Sequence, residues 1–243
     1  MDPASNSVQQ ITHPSPPLGV VASAFVALFL AGLYPVTMFG GAPYFPGPWE
    51  SPETIATFFR MRPTAVLIGA ALHFGAAIPL GIFTASTVSR LQFLGVRAAG
   101  ASIALFGGFA AAFTMLASSS VLWAMAHPGI TQDTALVQAL YWLDQALGGS
   151  GFSVPFGLLI LGISIPAAFL KLLPKWLVVF GIALGVCGAL SWLNLIATKA
   201  LLLVPLTRFP GFVWLIAAGF ALPTTVERIA PATTQRIVRG KVA

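Results

Sequence analysis

Hydrophobic and polar residues alternate along the chain in long blocks rather than residue by residue. Six blocks are nearly free of charge and long enough for helices that cross a bilayer, which takes about 20 apolar residues per crossing. They cover residues 18–39, 64–88, 98–126, 152–170, 176–198 and 209–225. This pattern predicts an all-α fold, a polytopic transmembrane helical bundle with six spans.

Two of the loops carry short amphipathic helices. In the first, Ser51 is placed to cap a helix that begins at Pro52. In the second, leucines recur at helical spacing over residues 136–147, and Gly148 and Gly149 predict a stop. We expect both helices to lie on the outer membrane surface or to cover the mouth of the bundle.

The two ends of the chain are expected to lie outside the bundle. Residues 1–17 are polar and rich in proline, a composition typical of disorder, and residues 226–243 are basic. We therefore predict a disordered tail over 1–17, a transmembrane domain over 18–225 and a basic tail over 226–243. An even number of spans places both tails on one side of the membrane.

Composition and charge support a membrane setting and give it an orientation. The chain is 57% hydrophobic and 7% charged, against roughly 25% charged residues in soluble domains, which excludes a soluble surface. Eight of its 12 basic residues fall on the side of the termini: Arg90, Arg97, Lys171, Lys175, Arg228, Arg236, Arg239 and Lys241. The other four are Arg60, Arg62, Lys199 and Arg208. Because basic residues favour the cytoplasmic side, we expect cytoplasmic termini, with contacts to anionic lipid rather than to nucleic acid.

Small residues recur at intervals of four along three spans, which lets helix backbones approach closely in lipid. The predicted packing residues are Gly69, Ala77 and Gly81 on the second span, Gly100, Ala104, Gly108 and Ala112 on the third, and Gly181, Gly185 and Ala189 on the fifth. We therefore expect the third and fifth spans to pack centrally.

His73 is the one ionisable side chain between Arg62 and Arg90, and it lies on a face shared with Gly69 and Ala77. An ionisable group at this depth is expensive and indicates a functional site. The structural alternative is a neutral imidazole that bonds a hydroxyl or an amide on a neighbouring helix.

The fifth span carries a polar face formed by Cys187, Ser191, Asn194 and Thr198. Such groups require protein or water around them within a bilayer. We identify His73, Ser191, Asn194 and Thr198 as candidate ligand-binding residues, with Asn194 as a partner for His73 or for a polar solute. Bonding between helices explains the same residues equally well.

Parts of the sequence match two kinds of enzymatic site, but neither pattern is complete, and the sequence predicts no catalytic or metal-ligating residue. The "GGSG" sequence at 148–151 matches the serine motif of rhomboid proteases, but the sixth span lacks their histidine, which leaves a rearranged Ser150 and His73 pair. Haem ligation by His73 requires a second axial ligand from His127, His13 or a methionine, Met115 or Met125. No cofactor is therefore predicted, with haem as the alternative.

The outer loops hold most of the acidic residues, and no Asp or Glu falls inside a predicted span. Glu50, Glu53, Asp133 and Asp144 occur there together with Arg60 and Arg62. They are suited to ring an entrance, but the interpretation we favour is that they cover solvated faces of the outer helices.

The chain resembles a group of bacterial six-helix integral membrane proteins of unknown function. The resemblance rests on "SRLQFLGVRAAGASIALFGGFAAAF", "GGSGFSVPFGLLILGISIPA", "LLPKWLVVFGIALG" and "LTRFPGFVWLIAAGFALP". It implies the architecture and a bacterial origin, and it implies no activity. We therefore predict a location in the bacterial inner membrane.

Three functions remain open from the sequence. The first is a non-enzymatic subunit, scaffold or accessory factor that binds lipid, a membrane-protein partner or a second copy of the chain. The second is a carrier of a small solute with a site around His73 and Asn194. The third is an intramembrane redox or hydrolytic enzyme. A carrier needs a wet cavity near His73, whereas a scaffold needs that region dry and packed.

Overall fold

Six helices of the structure are long and apolar enough to cross a membrane. The structure is a computed structural model that describes residues 8–37 and 40–229. Its spans are Leu18–Val36, Pro63–Phe93, Gly100–Met125, Thr134–Phe169, Lys175–Leu195 and Thr198–Ala221. The predicted fold class, an all-α six-span bundle, is confirmed.

The described residues form nine α-helices and one pair of strands. In chain order these are β1 Val8–Thr12, α1 Leu18–Leu33, α2 Pro52–Met61, α3 Pro63–Phe93, α4 Gly100–Met125, α5 Pro128–Thr131, α6 Thr134–Asp144, α7 Gly151–Phe169, α8 Lys175–Leu190, α9 Leu203–Ala221 and β2 Thr225–Ile229. A π-helical segment, Gln145–Ser150, joins α6 to α7, and 3₁₀ turns, Ser191–Leu195 and Thr198–Leu202, lie between α8 and α9.

The six spans close into a ring in chain order. The packed pairs are α1 with α3, α3 with α4, α4 with α7, α7 with α8, α8 with α9, and α9 with α1. The fourth span is the most enclosed, because 61% of its most apolar stretch is buried, against 33–39% in the others. The expectation that the third and fifth spans occupy the centre is therefore wrong: they pack on two sides of α7.

Glycines bring α4 and α7 into backbone contact. A Cβ added to Gly162 of α7 would stand 2.5 Å from the amide nitrogen of Ala104 and 2.6 Å from the carbonyl oxygen of Gly100. In the other direction, a Cβ on Gly107 would stand 2.5 Å from the carbonyl oxygen of Pro155. Gly100, Ala104 and Gly107 of the third span therefore face the fourth span.

The other small residues are used unequally. A Cβ on Gly69 would lie 2.9 Å from the carbonyl oxygen of Gly32 in α1, and one on Gly108 would overlap the side chain of Thr84 in α3. Gly181 and Gly185 face side chains of neighbouring spans, Ala77 and Ala112 are buried, and Ala189 is half-buried. Gly81 makes no tight contact, since the atom nearest to an added Cβ, from Phe109, is 3.9 Å away.

Both amphipathic helices form, and α2 has the predicted start, but α6 is the first part of the fourth span, Thr134–Phe169, rather than a separate helix on the outer surface. Ser51 accepts the amide of Thr54 at 3.2 Å, and Asp133 accepts the amides of Ala135 and Leu136 at the start of α6. The predicted stop at Gly148 and Gly149 is wrong. Neither glycine has the positive φ that ends a helix, and the chain continues through the π-helical segment into α7.

The two ends of the described chain meet at one end of the bundle. Strand β1 pairs antiparallel with β2, from Val8 opposite Ile229 to Thr12 opposite Thr225. Residues 8–12 therefore form a strand within the segment expected to be disordered, while residues 1–7 and 230–243 lie outside the described residues. We call this end the terminal end, and the end that holds α2 and α6 the distal end.

Candidate functional site

A cavity of about 300 Å³ lies within the distal half of the bundle. Its wall is mostly apolar, with Phe29, Leu33, Val66, Met115, Leu122, Phe152 and Val204 among its residues. Six polar or charged residues of the spans also line it: His73, Ser118, Ser119, Asp144, Gln145 and Arg208. The cavity therefore combines an apolar wall with a few polar groups, the composition usual for ligand pockets.

Arg208 lies inside the bundle because α9 begins at Leu203, six residues before the predicted start of the sixth span. Its guanidinium carbon is 5.5 Å from the ring centre of Phe29 and 5.2 Å from that of Phe152. One Nη donates to the carbonyl of Gly148 in the π-helical segment. Its Nε is buried without a hydrogen-bond partner among the described residues. Two aromatic rings and a carbonyl thus hold a cation at the cavity, and most of its N–H groups have no partner in the described part of the chain.

Asp144 is the last residue of α6, and its side chain is buried. Its Oδ1 accepts the hydroxyl of Ser118 at 2.5 Å. Asp144 and Arg208 interact electrostatically, yet they form no direct ion pair within the described part of the chain. A buried carboxylate and the guanidinium of the half-buried Arg208 therefore line the same cavity without neutralising each other by contact.

The assignment of Asp144 to a solvated outer face, and of Arg208 to an outer loop, is therefore wrong. Helical spacing could have predicted the inward position of Asp144, because Val137 and Tyr141 precede it on the same helix face and both are fully buried. For Arg208 the corresponding neighbour is Val204, one turn earlier and also buried. Extending the two apolar patterns by one turn places both charges on inward faces.

His73 lies on the wall of the cavity, beside α1. Its Nε2 is 3.0 Å from the carbonyl oxygen of Phe29, and its ring lies 4.6 Å from the Phe29 ring between centroids. Because a carbonyl only accepts, the imidazole donates through Nε2, and its Nδ1 is the acceptor. The partner of His73 is thus a backbone carbonyl, not Asn194.

The other three predicted ligand-binding residues do not line the cavity. Ser150 donates to Oδ1 of Asn194 at 2.5 Å, and its hydroxyl also lies 3.1 Å from the carbonyl oxygen of Ser191. The Ser191 hydroxyl donates to the carbonyl of Gly188, and Thr198 is exposed. These contacts join the fourth span, just before α7, to the end of the fifth. They also direct the Ser150 hydroxyl to Asn194 rather than to the His73 imidazole.

The histidines considered for haem occupy different levels of the bundle. His13 bonds Ser89 at the terminal end, whereas Nδ1 of His127 is 3.0 Å from the carbonyl oxygen of Trp123 at the distal end. Met115 does share the cavity with His73. Within residues 8–37 and 40–229, no group of three or more His, Cys, Asp and Glu side chains could hold a metal ion.

Arg62 anchors a loop that forms part of the cavity wall. The Arg62 guanidinium donates to four backbone carbonyls, those of Pro35, Gly40, Gly41 and Ala42, at 2.6–3.1 Å. The same loop supplies Val36, Thr37 and Phe45 to the cavity wall, and the Phe45 amide donates to the Val36 carbonyl. One side chain at the start of α3 therefore organises this edge of the site.

The substitution Arg62→Ala is expected to loosen this loop while leaving the bundle folded. Hydrogen bonds from a charged donor contribute about 1.5–3 kcal/mol each, so amide exchange at Phe45 should accelerate by at least about tenfold. Hydrogen exchange followed by mass spectrometry measures this. The matched control is Arg60→Ala, since the one bond of Arg60 within residues 8–37 and 40–229 is to the Thr57 hydroxyl. Equal exchange in both variants would show that Arg62 does not hold the loop.

The cavity is thus built from five spans, with Arg208 on α9, Asp144 at the end of α6, His73 on α3, Ser118 on α4 and Phe29 on α1. Its chemistry consists of charge pairing and hydrogen bonding within an apolar enclosure. Comparison of the chain with protein-family models, curated proteins and solved structures gives no match.

Proposed function

We propose that the protein is a multi-pass carrier of a small solute, which binds in the distal cavity. The strongest support is that Arg208 and Asp144, which carry opposite charges, line the same cavity and form no ion pair with each other among the described residues. Charged groups inside a membrane domain are expensive, and those that persist mark ligand or ion pathways. A protein that only needed to pack would be more stable with apolar side chains in both places.

Interrupted helices at the cavity support the same proposal. The fourth span changes from α to π geometry at Gln145–Ser150, and the Gly148 carbonyl of this segment meets Arg208. The chain before α9 is a 3₁₀ turn, Thr198–Leu202, and its Leu201 lines the cavity. Carriers commonly place their sites where spanning helices are interrupted, because irregular backbone then lines a cavity rather than lipid.

The orientation we propose places the terminal end in the cytoplasm of a bacterial cell, with the distal cavity open to the outside of the inner membrane. Exposed basic side chains at the terminal end, Arg97, Lys171 and Lys175, support it. The outer surface of the spans is apolar, with Phe113 and Phe169 highly exposed. A subunit or scaffold would bind its membrane partner, or a second copy, on this surface, and it would have no use for the charged cavity.

Thiol accessibility at Gln145 tests the carrier. Gln145 is half-buried, lines the cavity and follows Asp144. In a Cys187→Ser background, we expect Gln145→Cys to react with a charged, impermeant methanethiosulfonate from the distal side in intact cells. A carrier also opens its site to the other side, so reaction is expected in inside-out vesicles too.

The matched control is Ser153→Cys, two turns further along the same spanning helix. Ser153 is fully buried and does not line the cavity, so this thiol should stay unreactive from both sides. Reaction of Gln145→Cys from one side only would contradict transport and would indicate a protein that binds its ligand without carrying it across the membrane. No reaction from either side would mean that the interior is dry and closed, as expected for a scaffold.

A further inference from the structure

We infer that the ligand of the cavity is a small zwitterion with an uncharged apolar side chain, of the amino-acid class, whose carboxylate binds Arg208 and whose ammonium group binds Asp144. This inference rests on the proposed function and names the substrate class of the same site. It follows from the charges of the cavity, from their hydrogen-bond partners and from its remaining wall.

The carboxylate half of the site is Arg208. A guanidinium carries five N–H donors in a planar fork that matches a carboxylate. In the described part of the chain one donor is engaged, by the Gly148 carbonyl, and the Nε is without a partner. The Phe29 and Phe152 rings restrict the guanidinium from moving away. A ligand carboxylate would thus complete the bonding of this side chain.

The ammonium half is Asp144. Its Oδ1 accepts from Ser118, and that is its one hydrogen bond among residues 8–37 and 40–229. The other oxygen is left to accept from a ligand. A simple carboxylate bound at Arg208 would be repelled by Asp144, whereas an ammonium group beside that carboxylate turns the repulsion into attraction. Two opposite charges on one small ligand therefore fit better than one.

The rest of the cavity selects the side chain. Beyond Asp144 and Arg208, the lining contains no residue with a permanent charge, and Val66, Met115 and Leu122 supply apolar surface. The volume of about 300 Å³ stands at the small end of ligand pockets, which hold roughly 300–1,000 Å³. A compact aliphatic side chain meets both conditions, and a charged side chain would lack a partner.

Three probes, leucine and two analogues that each lack one of its charged groups, test the inference on the Gln145→Cys protein in the Cys187→Ser background. L-Leucine carries both charges, isocaproate lacks the ammonium group, and isoamylamine lacks the carboxylate. At equal millimolar concentration we expect leucine to slow methanethiosulfonate labelling by about tenfold or more, and each analogue by less than about twofold, because one buried charge then stays unmatched. These measurements need no change to Arg208 or Asp144.

Other outcomes overturn the inference in separate ways. Protection by isocaproate as strong as that by leucine would mean that the ligand is a monocarboxylate. Protection by isoamylamine as strong as that by leucine would mean that Arg208 does not bind the ligand. Labelling that none of the three probes slows would overturn the zwitterion while leaving the accessible cavity. If the Gln145→Cys thiol never reacts from either side, the proposed function itself fails.

A charge deletion assigns the ammonium site. In Asp144→Asn, the preference for leucine over isocaproate should fall to within about twofold. The matched control is Asp133→Asn, which alters an exposed capping carboxylate of the same helix and should keep the preference. Retention of the preference in Asp144→Asn would overturn the role of Asp144. A melting curve for each variant separates loss of binding from loss of fold.

Discussion

The substitution Gly162→Ala should lower the melting temperature of the detergent-purified protein by roughly 5–10 °C. The new methyl group would stand 2.5 Å from the amide nitrogen of Ala104 and 2.6 Å from the carbonyl oxygen of Gly100, and neither backbone atom can rotate away. Overpacking of this kind costs about 1–3 kcal/mol, and more where the backbone must shift. Each kcal/mol lowers the melting temperature by roughly 2–4 °C in a chain of this size.

The matched control for this prediction is Gly75→Ala in α3. A Cβ at Gly75 has no atom within 4 Å, so the gain in helix propensity should leave the melting temperature unchanged or slightly higher. Equal melting of the two variants would mean that the third and fourth spans do not meet through glycine. Because α4 and α7 both line the cavity, Gly162→Ala should also weaken any ligand protection measured at Gln145→Cys.

The substitution Arg90→Ala should release the terminal end of the protein. Arg90 is buried near the end of α3, and it donates twice to the Ser15 hydroxyl, at 2.6 and 3.2 Å, and once to the Pro16 carbonyl, at 3.2 Å. A fourth, long contact of 3.5 Å reaches the carbonyl oxygen of Leu222. The side chain therefore joins the segment before α1 to the segment after α9.

The loss of these bonds should destabilise the protein by about 2–3 kcal/mol, since the acceptors lose a charged donor. The direct readout is amide exchange at His13, whose N–H donates to the Thr224 carbonyl beside the strand pair. We expect faster exchange in Arg90→Ala and a partial effect in Arg90→Lys, which keeps the charge and loses the planar fork. Arg97→Ala, at an exposed position of the same end, is the control. Unchanged exchange at His13 in Arg90→Ala would show that Arg90 does not hold the two ends of the described chain together.

Much of the fold was predictable because it depends on local features of the chain. The number of spans follows from apolar length, and the start of α2 follows from the Ser51 cap, as the structure confirms. The limits of the spans differ where local signals compete. The glycines at 148–149 permit a stop, but the chain continues as a π-helix because Asp144 and Gly148 are bound by Ser118 and Arg208.

The candidate site was only partly predictable. His73 stood out because it is a lone ionisable side chain in an apolar segment, and it does line the cavity. Its hydrogen-bond partner is the Phe29 carbonyl, which the pattern of side chains along the sequence does not predict. Asn194 shared the depth expected for a ligand, yet it bonds Ser150 outside the cavity. A polar residue within a span needs hydrogen-bond partners, but the sequence alone does not show which groups those partners are.

The sequence by itself determined that the chain is a helical membrane protein with six spans, because burial in lipid requires long apolar helices whatever their arrangement. The ring order of those helices was decided by the tertiary structure, since glycine stripes fit several neighbours equally well. The same holds for the cavity. Asp144 and Arg208 come from different spans, and only the packing of the whole bundle brings their opposite charges to one cavity.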